Sequence, residues 1–132
     1  MPHRKPLPFV EHVGVEIAEQ RAGFSKCVLA IAPYHFNSSG VVHGGAVFTL
    51  ADTGMGAAII PGLQEGERCA TIEIKINYFK PIVAGVLTCN TEVINRGKSV
   101  VHLESCVYSA GVLVAKASGN YAVFRPSNRD AA

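Results

Sequence analysis

Between residues 71 and 79 apolar and polar side chains alternate without interruption. Ile72, Ile74, Ile76 and Tyr78 fall on one face of an extended chain, and Thr71, Glu73, Lys75 and Asn77 on the other. Stretches of similar strand character lie at 13–19, 24–31, 85–95, 99–109 and 112–124. A turn at Ala22-Gly23 separates the first two. Arg96-Gly97-Lys98 and Ala110-Gly111 are short glycine-containing connections of hairpin type, so the later strands are expected to be antiparallel neighbours. One segment has a different period. From Gly44 to about Ile60 apolar residues recur at Val47, Leu50, Ala51, Gly54 and Ala58, the spacing of a helix face, and Phe48, Met55 and Ile59 add a second apolar stripe. A helix apolar on nearly all sides is a buried helix, and Ile60-Pro61-Gly62 ends it. The predicted architecture is α+β, an antiparallel sheet wrapped around one long central hydrophobic helix. Residues 1–8, with Pro2, Pro6 and Pro8, read as an extended arm, and residues 126–132 as a frayed polar tail.

Composition narrows the partners. The 132 residues make a single domain in which 48% are hydrophobic and only 17% charged, against a usual charged share of roughly a quarter. Such a chain buries enough apolar surface to offset its entropy and is not disordered. No apolar run approaches the ~18 residues of a membrane span, so no membrane role is expected. A net charge of +2 without a basic patch gives no nucleic-acid partner. A small domain has a large surface for its volume, and so few charges cannot cover it. Part of that surface is therefore expected to be buried against copies of the same chain. Cys27, Cys69, Cys89 and Cys106 stand in neither CxxC spacing nor a zinc pattern with histidine, so no metal is expected. Each lies in an apolar or alternating stretch, where a free thiol packs as a small hydrophobe. The start MPHRKPLPFV lacks the apolar core of a signal peptide, and a reduced, cytoplasmic setting is the simplest reading.

Two features carry chemistry. Asp52 falls within the apolar helix among Phe48, Met55 and Ile59, where a carboxylate is costly unless paired or hydrogen-bonded. It is a candidate general base or nucleophile. The second feature is the helix start, His43-Gly44-Gly45, where adjacent glycines leave backbone N–H groups approachable. The helix dipole makes this end fit for an anion or a developing oxyanion. Asp52 lies eight residues beyond Gly44, roughly 12 Å along the helix. One carbonyl cannot meet both on the same helix. A two-fold dimer that brings the Asp52 of one helix beside the Gly44 of the other makes two equal composite sites.

The pattern Asn37-x5-His43-Gly44-Gly45-x6-Asp52 resembles that of the hotdog-fold acyl-CoA thioesterases of the phenylacetate-pathway, PaaI-type group. The similarity spans roughly residues 10–125. It includes the run from His43 to Asp52, the strand from Thr71 to Pro81 and the turn Arg96-Gly97-Lys98-Ser99. The resemblance implies hydrolysis of an aryl- or acyl-CoA thioester to free acid and coenzyme A. Gly44 would polarise the thioester carbonyl with its N–H, and Asp52 of the partner subunit would act as base or nucleophile. Thr71 would position the water, while Asn37 and His43 would flank the thioester. Gly45 and the turn Arg96, Gly97, Lys98 and Ser99 would hold coenzyme A, with Lys80 as a further cation. Coenzyme A is then part of the substrate, and no separate cofactor is implied. Members of the group form homodimers that pair again into tetramers. The rival reading is a hotdog protein that binds acyl-CoA without turning it over. The absence of a GxSxG elbow withdraws support from a serine-hydrolase route.

Overall fold

Residues 6–127 are described by a computed structural model. The chain runs through α1 (Pro8–Val13), β1 (Val15–Arg21), β2 (Phe24–Ala30), α2 (Gly44–Ile59), β3 (Arg68–Tyr78), β4 (Val86–Arg96), β5 (Val100–Ser109) and β6 (Val112–Phe124), with single 3₁₀ turns at Pro33–His35 and Ile60–Gly62. The strands form one sheet in the order β1-β2-β4-β5-β6-β3, and every neighbouring pair is antiparallel. The sheet wraps around α2, the layout expected from the change of hydrophobic period and the hotdog fold that the resemblance implies. The predicted hairpins are present. Ala110 and Gly111 both take positive φ (48° and 79°), the signature of the two-residue turn whose twist matches its strands.

The core lies between α2 and the inward positions of the strands. Val47, Leu50 and Met55 of the helix are fully buried, together with Leu29, Leu87, Leu103 and Val107 from the sheet. Two glycines set how closely the layers approach. A Cβ on Gly54 would lie 2.5 Å from Thr91 Oγ1, and one on Gly119 would lie 2.7 Å from Met55 Sδ. The close contact lets sheet hydroxyls reach helix carbonyls. Ser25 Oγ donates to the Gly54 carbonyl (2.6 Å), and Ser105 Oγ, itself 2.7 Å from Thr91 Oγ1, donates to the Ala51 carbonyl (3.2 Å). The Gly23 N–H bonds the Ala58 carbonyl at 2.8 Å. These bonds satisfy buried hydroxyls and pin the helix against the sheet on both sides of Asp52.

Three expectations need correction. The arm assigned to residues 1–8 gives way to α1 from Pro8 onward, and residues 1–5 lie outside the described residues. The signals for that helix were present: proline at its first position and Gly14 (φ 97°) closing it in left-handed geometry. Six residues are too few to show a 3.6-residue period, and the first strand accordingly starts at Val15 rather than Val13. The third correction concerns β3, which begins at Arg68 and does not keep a strict alternation. Its register against β6 passes from Thr71↔Tyr121 to Glu73↔Asn120, a bulge that leaves Ile72 as the extra residue. Ile72 is consequently 56% exposed, and Thr71 turns to the helix side instead of sharing a face with Glu73.

Candidate active site

Asp52 is half-buried on the flank of α2 that faces the start of β3. Its Oδ1 accepts a hydrogen bond from Thr71 Oγ1 at 2.9 Å. The bulge makes this contact possible, because without it Thr71 would point away from the helix. A second donor had not been expected from the sequence. Tyr121, opposite Thr71 on β6, is almost fully buried, and its hydroxyl donates to the same Asp52 Oδ1. The Asp52 main-chain carbonyl lies within reach of that hydroxyl at 2.8 Å. Burial, and then the hydrogen bond to Asp52, push the Tyr121 phenol far above its ordinary range, so it stays a proton donor. Asp52 Oδ2 has no partner among the described residues. The inward period Ala117, Gly119, Tyr121, Val123 was the available signal, since a buried tyrosine hydroxyl needs an acceptor.

At its start α2 is capped by His43, whose Nδ1 accepts from the Gly45 N–H at 2.8 Å. An accepting Nδ1 places the ring proton on Nε2, facing outward. Of the two glycine amides expected to be bare, only that of Gly44 lacks a partner among the described residues. Tyr78, at the end of β3, lies directly over it. The Tyr78 hydroxyl donates to the Gly44 carbonyl at 2.7 Å, and a Cβ on Gly44 would stand 3.0 Å from the ring, which would have to shift slightly. Asn37 closes the loop before the helix, with Oδ1 accepting from the Ser39 and Val41 amides at 2.9 and 3.3 Å. That leaves its Nδ2 as the group able to reach a ligand. His35 is structural: Nδ1 accepts from the Ala32 N–H and Nε2 donates to the Val13 carbonyl.

The two centres are thus tied to opposite ends of one strand. Asp52 sits at Thr71 and Gly44 at Tyr78, seven residues but only six ladder positions apart on β3 because Ile72 is bulged, or about 20 Å. The turn Arg96–Ser99 lies at the Asp52 end, tied to β6 by the bond from Val123 N–H to the Ser99 carbonyl (2.8 Å). Gly97 is required there, because a Cβ would meet the Val100 carbonyl at 2.6 Å. The Arg96 guanidinium bonds the Gly97 carbonyl, and Arg96, Lys98 and Ser99 are exposed. At the other end the Gly44 amide opens on a groove of about 360 Å³ that also holds Tyr78 and Lys80. A second groove of about 330 Å³, at the same helix start, is walled by Phe9, Val13, Tyr34 and Ala46 and bordered by His43 and Gly45.

Among the described residues, no group of three His, Cys, Asp or Glu side chains is close enough together to hold a metal ion, and no helix is long and apolar enough to cross a membrane. All four cysteines are free, and burial pushes the Cys27 and Cys89 thiols up to about 11 and about 12. Cys69, the thiol beside Asp52, is raised by burial and then by the Asp52 charge, so none of these three is primed as a nucleophile.

Residues 39–116 match the model of the thioesterase superfamily. The chain belongs to that superfamily. A protein of Saccharolobus solfataricus named as an esterase is 30% identical over 119 residues, covering 89% of this chain and 79% of its own. Among solved structures, a conserved protein of Pseudomonas aeruginosa superposes with a TM-score of 0.86 at 31% identity, over 90% of this chain and 95% of that one. A mutant of the phenylacetic acid degradation protein PaaI from Thermus thermophilus superposes with a TM-score of 0.81 at 25% identity, over 90% and 99%. Within the superfamily the chain is PaaI-like, and the activity that this membership carries is hydrolysis of a thioester or ester.

Proposed function

We propose that the protein hydrolyses the thioester of an aryl- or acyl-CoA to the free acid and coenzyme A, in a site shared between two subunits. The observation that supports this is the placing of Asp52 against Thr71 and of Gly44 against Tyr78 on β3, one of the two edge strands of the sheet. Two such edges paired antiparallel, with Thr71 of each opposite Tyr78 of the other, put Asp52 of one subunit beside Gly44 of its partner. The same pairing covers Ile72, exposed in a single chain. Gly44 N–H then receives the carbonyl oxygen as it takes up charge. Asp52, through Oδ2, either takes the proton of a water that attacks the carbonyl carbon, or attacks that carbon itself to give a mixed anhydride that water then hydrolyses; in both routes coenzyme A leaves as its thiolate. Thr71 orients the carboxylate, and His43 and the Asn37 Nδ2 flank the thioester. The phosphates of coenzyme A are met by Arg96, Lys98, Ser99 and the turn amides around Gly97, on the subunit that supplies Asp52. Gly45, whose amide is spent on His43, shapes the approach to the site. An aryl acyl group suits the groove lined by Phe9 and Tyr34.

The test is hydrolysis of a panel of phenylacetyl-, benzoyl-, acetyl- and medium-chain acyl-CoA by the wild type and Asp52→Ala, followed by loss of thioester absorbance. Turnover of aryl thioesters, lost by on the order of 10³-fold or more in Asp52→Ala, is the expected result. Full activity in Asp52→Ala overturns the mechanism. Binding of acyl-CoA by the wild type without turnover of any member would favour a carrier.

A further inference from the structure

We infer that Tyr121 is a positioning residue of the reaction, holding Asp52 so that Oδ1 is tied down and Oδ2 alone is presented to the substrate. The inference rests on the reading of Asp52 as the reacting carboxylate. Two hydroxyls converge on one oxygen, Thr71 Oγ1 from β3 and Tyr121 from β6, and both sit at the same rung of the ladder. A carboxylate with one oxygen bonded from two directions cannot turn about its terminal bond without losing both donors. Bonds to an ionised carboxylate are about twice as strong as neutral ones, so this arrangement outweighs the rotational freedom of a half-exposed side chain. The hydroxyl of Tyr121 also has two places for its single proton. With Asp52 ionised, the proton goes to Oδ1. Once Oδ2 has taken a proton from water or formed a bond to the acyl carbon, Oδ1 is a weaker acceptor, and the main-chain carbonyl of Asp52 waits 2.8 Å away. The phenol is therefore never left buried without an acceptor, whichever state Asp52 occupies. Thr71 is exposed and can exchange its partner for water. Tyr121 is buried and cannot, which makes it the more persistent of the two restraints.

The experiment compares Tyr121→Phe with Asp52→Ala and with Val107→Ala, a fully buried core residue of β5 whose partner on β6 is Ala115, six residues from Tyr121. Tyr121→Phe keeps the ring and removes only the hydroxyl. Its kcat is expected to fall on the order of 10- to 100-fold, with KM within about twofold of wild type and an unchanged oligomer mass. Val107→Ala is expected to lower the melting temperature while leaving kcat in place. Ring-fluorinated tyrosines at position 121 provide a second readout that does not depend on the folding of the phenylalanine variant: kcat is expected to follow phenol acidity while KM and melting temperature stay constant. A wild-type kcat in Tyr121→Phe, or no response to fluorination, while Asp52→Ala is inactive, overturns this inference and leaves the proposed function standing. Full activity in Asp52→Ala removes the reading of Asp52 as the reacting carboxylate, and this inference with it.

Discussion

Gly54 occupies the middle of a helix, where glycine costs about 1 kcal/mol relative to alanine, yet the space beside it admits nothing larger. Its missing Cβ lets Thr91 lie against the helix backbone and Ser25 reach the Gly54 carbonyl. Gly54→Ala is therefore expected to lower stability by about 1–3 kcal/mol despite the better helix propensity, read from the urea midpoint. Gly44 behaves differently. It is the first residue of α2, a position that tolerates proline, and His43 before it already has the extended geometry (φ −60°, ψ 134°) that proline demands. Gly44→Pro deletes the amide proton while the helix persists, so kcat is expected to fall by about 10²–10³ with little change in circular dichroism. The half-exposed Tyr78 ring yields to the added carbons. At this scale the sequence discloses Asp52 and Gly44, because a carboxylate in an apolar helix and a glycine pair at its start are both out of place. Tyr121 and Tyr78 escape it, since a tyrosine in a strand is ordinary until its hydroxyl partner, 69 or 34 residues away in the chain, is seen.

Among the elements, α2 and most of the sheet announce themselves by period, and two do not. The short α1 has end signals but no length over which a stripe could repeat. The bulge in β3 is invisible to a pattern that looks unbroken, because alternation tells which residues could share a face and not where the partner strand skips one. Both omissions matter to the site, α1 by walling the aromatic groove and the bulge by turning Thr71 toward Asp52. Tyr34→Ala, together with removal of the Phe9 ring, is expected to raise KM for phenylacetyl-CoA several-fold more than for acetyl-CoA, as measured by steady-state kinetics. Thr71→Val, isosteric but without the hydroxyl, is expected to lower kcat about tenfold with no loss of secondary structure.

For the molecule as a whole, a shared site makes a distinctive prediction. Asp52→Ala and Gly44→Pro are each inactive alone, but random mixing of their subunits creates heterodimers with one site that carries both intact groups. The mixture is expected to recover about a quarter of wild-type activity, whereas a site built within one chain would recover none. Stability has its own signature at alkaline pH. Cys27 and Cys89 hold their protons up to about 11 and about 12 in the folded chain, against 9.0 when unfolded. Below pH 9.0 their contribution is fully present. As pH rises further the unfolded chain releases these protons first, and that contribution is lost as the folded values are approached. The urea midpoint is therefore expected to fall between pH 9 and pH 11, and to fall less steeply in the Cys27→Ala/Cys89→Ala variant.

The span of β3 sets one last condition, on insertions and deletions rather than on substitutions. Thr71 bonds Asp52 and Tyr78 bonds Gly44, so the number of residues between them is the spacing between the two halves of the proposed site. Losing Ile72 would straighten the bulge and rotate Thr71 to the outer face, because one residue inverts every side chain beyond it. Adding a residue further along would carry Tyr78 off the helix start and, in the proposed dimer, put the two edges out of step. The connection 63–67, between the 3₁₀ turn and β3, bears no such constraint and can lengthen without moving either end. Within this fold β3 serves as a measured length, free to change its outward side chains but not its count.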